Sequence, residues 1–528
     1  MSGIITLFEP GEKMAAFYQD TAYAGASSQR KELADWQPIV EPPDTELLPE
    51  LGTLVARSRD LGRNHGIASS GFQTLTDNIV GIGLRLAARP DFRALGKDLM
   101  WAQSWSRITE SKWRSYANTA SFDAARQLNF NRSTSMILRS TLMNGEALAL
   151  PLWIEKRDAV FATAFQLVEG DRLSNPNYAA DNDKIRGGIE MNEYGEPLAY
   201  YLRKAEKGDW SVPGMWMLAA DWERIPAKTK WGRKRLLHIY DKDRIGQSRG
   251  KPMLTSVLEQ FKMFDHYQRT ELQSSIVNGL VAGVIETPMD QSQIADLMGG
   301  DPNKYLAQKM EWKTSLRGGA MIPLYPGDKL TPFTPARPSA QYPHFVETVL
   351  RHIAAALNMP YELLCKDFSK TNYSSARASL LEAWRFFQTR RTWLAETWAT
   401  PVYHLWLEEA VNKGEIEAPD FYNKFELYSR CNWIGPGRGW IDPVKEAQAA
   451  VIRIQAKIST LEMECAEQGL DWQDVLEQVA YERTRMKELG IYDEPVPVKG
   501  AQQKPSGAVK STPGSSGDPD TEGEDYGE

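Results

Sequence analysis

The sequence predicts a mixed α+β fold organised around unusually long helices. Three observations predict it. An apolar pattern of helical period runs from Met253 to Leu280, short strand-like runs cluster between residues 160 and 240, and a second long helical run beyond residue 375 contains Pro401. The 528 residues suffice for about three folding units that need no staples.

In chain order, residues 1–50 contain Pro10, Pro38, Pro42, Pro43 and Pro49 and read as an arm that needs a partner to order it. A helical pattern begins at Leu51 and ends near Gly81 and Gly83. An amphipathic helix is expected over about Phe92–Arg114, and a third helical stretch, Thr134–Asn144, leads into a strand over Glu146–Glu155. The runs FATAFQLVEG, GGIEMN, PLAYYLR and RLLHIYD are short and rich in β-branched or aromatic residues. Turn signals such as Ser174-Asn175-Pro176-Asn177, Gly187-Gly188 and Tyr194-Gly195-Glu196-Pro197 divide them.

Pro252 then stands at the first turn of the long helix, where its missing N–H costs nothing. Met253, Leu254, Val257, Leu258, Phe261, Phe264, Leu272, Ile276 and Leu280 recur on one stripe for about 29 residues, roughly 43 Å at 1.5 Å per residue. That is a strut, since globular helices average about 11–12 residues. Residues 284–338, broken by Pro and Gly, read as a small α/β insertion. A second strut is expected over Tyr342–Leu357, followed by a polar loop from Asn358 to Asn372. The next helix carries Leu380, Trp384, Phe387, Arg391, Leu394, Trp398, Val402 and Leu405 at steps of three and four. Arg391 is the single polar step, and Pro401 predicts a kink near Thr397–Thr400. KFELYSR reads as a strand, and Pro443 to about Leu489 as helical. Residues 496–528 lack the apolar mass to order and are expected to be disordered.

Composition excludes several classes of function. The three cysteines, Cys365, Cys431 and Cys465, are far apart, so neither a disulfide framework nor a zinc cluster is suggested, and a reducing compartment fits. No window approaches 18 uncharged apolar residues, so no membrane partner is expected. Glu9, Glu12 and Lys13 argue against a signal peptide, so the chain is expected to work where it is made or in something assembled there. A net charge of −7 lacks the basic surplus of a tight DNA binder. It fits either a protein unconnected with nucleic acid or a surface past which DNA slides.

The chemical motifs are weak. Gly246-Gln247-Ser248-Arg249-Gly250 matches the nucleophile elbow of a serine hydrolase, the alternative function. But Asp241-Lys242-Asp243-Arg244 separates it from the preceding strand, and Pro252 follows it. Gly81-Ile82-Gly83 lacks the third glycine of a dinucleotide fingerprint, and no phosphate-cradling G-x-x-x-x-G-K-[ST] occurs. The six histidines form no metal-ligand spacing; His344 and His352 are merely eight apart on one expected helix face. Neither a catalytic set nor a metal or other cofactor is expected. Lys366 and Lys370 flank Asp367 in the loop after the second strut, which is either simply solvated or presented to a phosphate backbone.

Several strings, taken together, resemble the lambda-type family of tailed-bacteriophage portal proteins. They are DNIVGIGLRLAARPDFRALG (77–96), DRLSNPN (171–177), GGIEMNEYGEPLAYYL (187–202) and HIYDKDRIGQSRGKPML (238–254). They continue with RTELQSSIVNGLVAGVIE (269–286), CNWIGPGRGWIDPVKE (431–446) and, most specific, residues 350–387. The similarity covers about 50–490. It implies the portal fold: an α/β wing (51–252), a stem helix (253–283), a small α/β clip (284–339), a second stem helix (340–357), a tunnel loop (358–374), a long kinked helix (375–412), and a wing return with crown helices (413–495).

It further implies a non-enzymatic homo-oligomer, a ring of twelve subunits at one vertex of the virion capsid, assembled in the host cytoplasm. Double-stranded DNA would pass through it non-specifically during packaging and ejection. Terminase large subunit, head–tail connector and major capsid or scaffold protein would be its partners. Lys366, Lys370 and Tyr373 would face the DNA from the tunnel loop.

Overall fold

A computed structural model describes residues 23–28, 30–155, 158–206, 221–280, 283–286, 329–332, 341–439 and 442–492, with 293 and 296. It forms two units, 1–471 and 472–528.

The first unit opens with α1 (Pro43–Asn64) and α2 (Gly66–Ile79), where one helical run from Leu51 was expected. The helix starts earlier because Pro43 occupies its first turn, where a proline is pre-organised, and Asp44 and Glu46 complement the positive helix end. β1 (Arg85–Ala88) and a turn at 91–97 precede α3 (Leu99–Ala117). This helix starts later than expected because Asp98 caps it, accepting from the Trp101 amide at 2.7 Å. α4 (Phe130–Asn144) is capped by Asn129 and closed by Gly145 at φ 91°.

Two antiparallel sheets follow. β2 (Glu146–Trp153), β3 (Thr163–Val168) and β8 (Leu237–Tyr240) form one, in the order β3-β2-β8. β4 (Ile185–Arg186), β5 (Ile189–Met191), β6 (Pro197–Arg203) and β7 (Trp222–Pro226) form the other in sequence order. Leu148, Val168, Leu173, Ile189, Tyr200, Leu202, Ile225 and Leu236 form an apolar cluster drawn from both sheets.

The first strut, α5 (Leu258–Leu280), is 23 residues long and begins after a 3-10 turn over Thr255–Val257. Among the side chains described on its apolar stripe, cover ends partway along the helix. Leu258, Phe261 and Phe264 are buried, whereas Leu272 and Ile276 are 64% and 55% exposed. The second strut, α6 (Tyr342–Ala356), meets it through Tyr267, which stacks on Tyr342 and packs edge-on to Phe345. β9 (Gly283–Glu286) and β10 (Lys329–Pro332) pair antiparallel. The rest of the expected α/β insertion lies outside the described residues, as do residues 1–22 of the arm and the tail 496–528.

α7 (Tyr361–Cys365) and α8 (Tyr373–Leu394) come next. The expected kink is a wide π-turn over Ala395–Ala399, and Pro401 falls in the first turn of the continuation, α9 (Thr400–Asn412). KFELYSR is not a strand. Its centre is the short helix α10 (Phe425–Tyr428), because Phe421, Phe425 and Tyr428 recur at four and three and pack together as one aromatic face. The strand here is β11 (Cys431–Ile434), paired with β1. α11 (Pro443–Gln455) and α12 (Leu461–Glu467) complete the unit. The second unit contributes α13 (Trp472–Glu488).

The main core joins segments from across the first unit. Trp113 lies 5.1 Å from Phe130 and 5.2 Å from Trp406 between ring centroids, and Trp398 donates its indole N–H to Thr134 Oγ1 at 2.9 Å. This aromatic packing fastens the π-turn and α9 to α3, α4 and β3.

Candidate functional site

The loop between α6 and α8 is anchored at its base and open at its tip. Asn358 turns the chain at φ 51°, Met359 is buried, and Pro360 starts α7, whose Leu364 is fully buried. Lys366 then adopts a left-handed conformation at φ 56°, ending that turn of helix, and its side chain is exposed. Asp367 folds back to accept from the Ser369 amide at 3.0 Å. Asn372 caps α8, accepting from the Ser375 amide at 2.8 Å, and so fixes where the loop stops. Tyr373, the first residue of α8, is 52% exposed, and Phe368 is 43% exposed.

Lys370 is not a free cation. Its Nζ donates to Glu347 Oε2 on α6 at 2.8 Å, and Glu347 Oε1 accepts from Arg351 Nη2 at 2.8 Å. The two donors hold the Glu347 carboxyl below its ordinary range, and Glu347 in turn raises the Lys370 ammonium. Arg351 also lies 5.6 Å over the Tyr361 ring. The structure therefore brings Lys366, Lys370 and Tyr373 onto one short exposed stretch, and adds Glu347, Arg351 and Phe368 to it. The Glu347-x-x-x-Arg351 spacing, one helical turn, was the available signal for the added pair.

The elbow-like motif has a different role. Ser248 is buried; its amide donates to Asp44 Oδ1 at 2.8 Å, and among the described residues its Oγ has no hydrogen-bond partner. Among the described residues no base is hydrogen-bonded to it, and buried His238 instead donates Nε2–H to Glu146 at 2.9 Å. Arg249 is the working residue. Its guanidinium clasps Glu146 and donates to the carbonyls of Gly170, Leu173 and Gly187 at 2.9, 2.9 and 2.7 Å. Those bonds hold the Glu146 carboxyl far below its usual range despite full burial, whereas burial lowers His238. A cavity of about 510 Å³ beside this cluster is lined by Arg59, Glu146, Asp171 and Arg203 and contains no activated nucleophile among the described residues.

Among the described residues, no three His, Cys, Asp or Glu side chains are grouped to hold a metal, and no helix is long and apolar enough to cross a membrane. The site is an exposed loop between two helices that presents Lys366, Lys370 and Tyr373 at the surface. The profile of the family described as phage portal protein, lambda family, matches residues 29–391. The chain is 35% identical over 491 residues to the portal protein of Escherichia phage N15, covering 89% of this chain and 91% of that one. It is equally 35% identical to portal protein B of Escherichia phage lambda, covering 89% and 90%. The chain belongs to the lambda family of phage portal proteins, virion components at the capsid vertex that conduct double-stranded DNA. Among solved structures, the neck of an empty gene transfer agent particle matches with a TM-score of 0.46 and 12% identity, covering 82% of this chain and 96% of that one.

Proposed function

We propose that twelve copies of this chain close into a ring whose channel passes DNA without gripping it, with Lys366, Lys370 and Tyr373 facing the duplex. The observation that carries this reading is the half-covered stripe of α5. Leu272 lies eleven residues, three helical turns, beyond Phe261 and shares its face, yet Phe261 is buried and Leu272 is 64% exposed. An apolar stripe that outruns its own core calls for a neighbouring copy. A chain at −7 supports sliding, because a ring of like-charged copies repels DNA at long range and leaves few cations for close contact.

In this reading the chain catalyses nothing. ATP hydrolysis belongs to the terminase large subunit, which docks on the ring during packaging in the host cytoplasm, and the head–tail connector replaces it. Major capsid or scaffold protein surrounds the ring at its vertex.

Mass photometry of the purified chain tests the ring. Wild type is expected to form closed oligomers, and Leu272→Glu with Ile276→Glu to leave monomers; rings of unchanged size in the double variant overturn the assignment of that face. Lys366→Ala with Lys370→Ala is expected to spare the ring but lower the DNA content of assembled heads. Unchanged genome content defeats the DNA-facing assignment.

A further inference from the structure

Glu347 gathers a cation from each side of the loop. Arg351, one turn along α6, contacts both Glu347 and the Tyr361 ring at the start of α7, and Lys370 closes on the same carboxylate from the loop tip. The Glu347 side chain is 16% exposed, whereas Arg351 and Lys370 are 61% and 66% exposed. Within the tip, Thr371 donates its N–H to the Phe368 carbonyl at 3.2 Å, a local backbone bond. The Lys370–Glu347 pair is therefore the side-chain tie between the tip and the strut among the described residues.

We infer that Glu347 is a positioning residue that keeps Lys370 pre-neutralised, so that a DNA phosphate takes the lysine only by displacing the carboxylate. This rests on the reading that the loop faces DNA. The physical argument is one of exchange. An unpaired ammonium gains the whole attraction of each passing phosphate and lets go of it slowly. A paired one trades one anion for another, so each contact is close to neutral in free energy and easily left. The pair is exposed on its lysine side, where ion pairs are weak and screened by salt, so the exchange is accessible. Glu347 thus tunes how firmly the channel's cations hold a moving backbone, and Lys370 stays over the strut between contacts.

The test uses assembled rings and a fluorescein-labelled 30-base-pair duplex, read by polarisation between 50 and 200 mM salt. Glu347→Gln keeps the shape and frees the lysine; Glu347→Ala, which also frees it, is run in parallel in case the glutamine variant does not assemble. Either is expected to bind more tightly than wild type, with the slope of log affinity against log salt steeper by about 0.9 for each added phosphate contact. That amounts to roughly a threefold greater loss of affinity across this salt range per contact. Adding Lys370→Ala should return both affinity and slope to those of Lys370→Ala alone.

If freeing Lys370 changes neither, while Lys370→Ala weakens binding, the positioning role falls and the DNA-facing loop stands. A gain that survives Lys370→Ala also overturns the inference, because removing a negative charge then explains it. If Lys370→Ala changes nothing in any background, the loop does not meet DNA, and both readings fail.

Discussion

Arg391 on α8 caps Ile79 at the end of α2, 312 residues earlier: its Nε donates to the Ile79 carbonyl at 2.9 Å. Its Nη2 donates to the neighbouring Asn78 carbonyl, also at 2.9 Å, and its guanidinium lies 5.0 Å over the Trp384 ring. Two orphan carbonyls at a helix C-terminus thus receive a cation, the charge that end of a helix favours. Burial pushes Arg391 down to about 10, so it remains charged at neutral pH. Arg391→Leu should cost about 2–3 kcal/mol by leaving both carbonyls unpaired, and Arg391→Lys should recover less than half, because an ammonium lacks the fork. Gly435→Ala should resemble the leucine variant, since its added carbon would stand 2.4 Å from Arg391 Cδ. Urea unfolding of the three variants checks the order; a wild-type midpoint for Arg391→Leu would refute the cap.

Arg391 also shows where the sequence was legible. Its helix, the stripe around it and the disturbance before Pro401 all follow from periodicity and proline chemistry, which act over a few residues. Its partner does not, because nothing local says that a polar step in an apolar stripe reaches a helix end 312 residues away. The same division holds elsewhere. The two struts were readable in outline, although the first starts at Leu258 and not beside Pro252, and a short helix, α7, interrupts the expected loop; the tie from Lys370 to Glu347 required knowing that the tip folds back along α6. KFELYSR misled because its aromatic residues suit a strand, and only the packing of Phe421, Phe425 and Tyr428 decides for a helix.

The buried Glu146–Arg249 pair should make stability depend on acid. Glu146 has its folded pKa depressed, so its contribution is present above the ordinary carboxyl value of 4.5 and is lost as pH falls below it. His238 is also depressed, by burial. It stays neutral in the fold while the unfolded chain takes up a proton below about 6.5, so its effect has the same sign and begins at higher pH. The melting temperature should therefore decline from about pH 6.5 and fall more steeply below about 4.5. Arg249→Met should cost about 3–5 kcal/mol at neutral pH, because it strands a buried carboxylate, and should flatten the acid limb. An unaltered pH profile in that variant would contradict this account.

Gly145 and Gly250 let two backbones touch. Gly145 has φ 91°, and a carbon added to it would lie 2.6 Å from the Gly250 carbonyl carbon; one added to Gly250 would lie 2.0 Å from the Gly145 oxygen. Neither neighbour is a side chain that can swing away, so Gly145→Ala should cost on the order of 3 kcal/mol or more. Gly414→Ala is the control. It shares a positive φ, 74°, but meets nothing within 4 Å, so only the left-handed conformation is penalised, by roughly 1–2 kcal/mol. Equal losses at the two positions, measured by chemical denaturation, would remove close approach as the reason for the first.

Ser248→Ala should be harmless. The hydroxyl it deletes is buried and has no partner among the described residues, so its loss removes an unsatisfied group without opening a bond, and stability should stay within about 1 kcal/mol of wild type or rise. The amide that matters, donating to Asp44, is untouched by the change. A fluorophosphonate probe should leave the native chain unlabelled, because an activated serine needs a base within reach and the buried imidazole nearest in role, His238, is committed to Glu146. Heads assembled with Ser248→Ala should hold as much DNA as wild type. Probe labelling at Ser248, or heads that assemble but lose their genome when only this hydroxyl is gone, would restore the hydrolase reading that the geometry argues against.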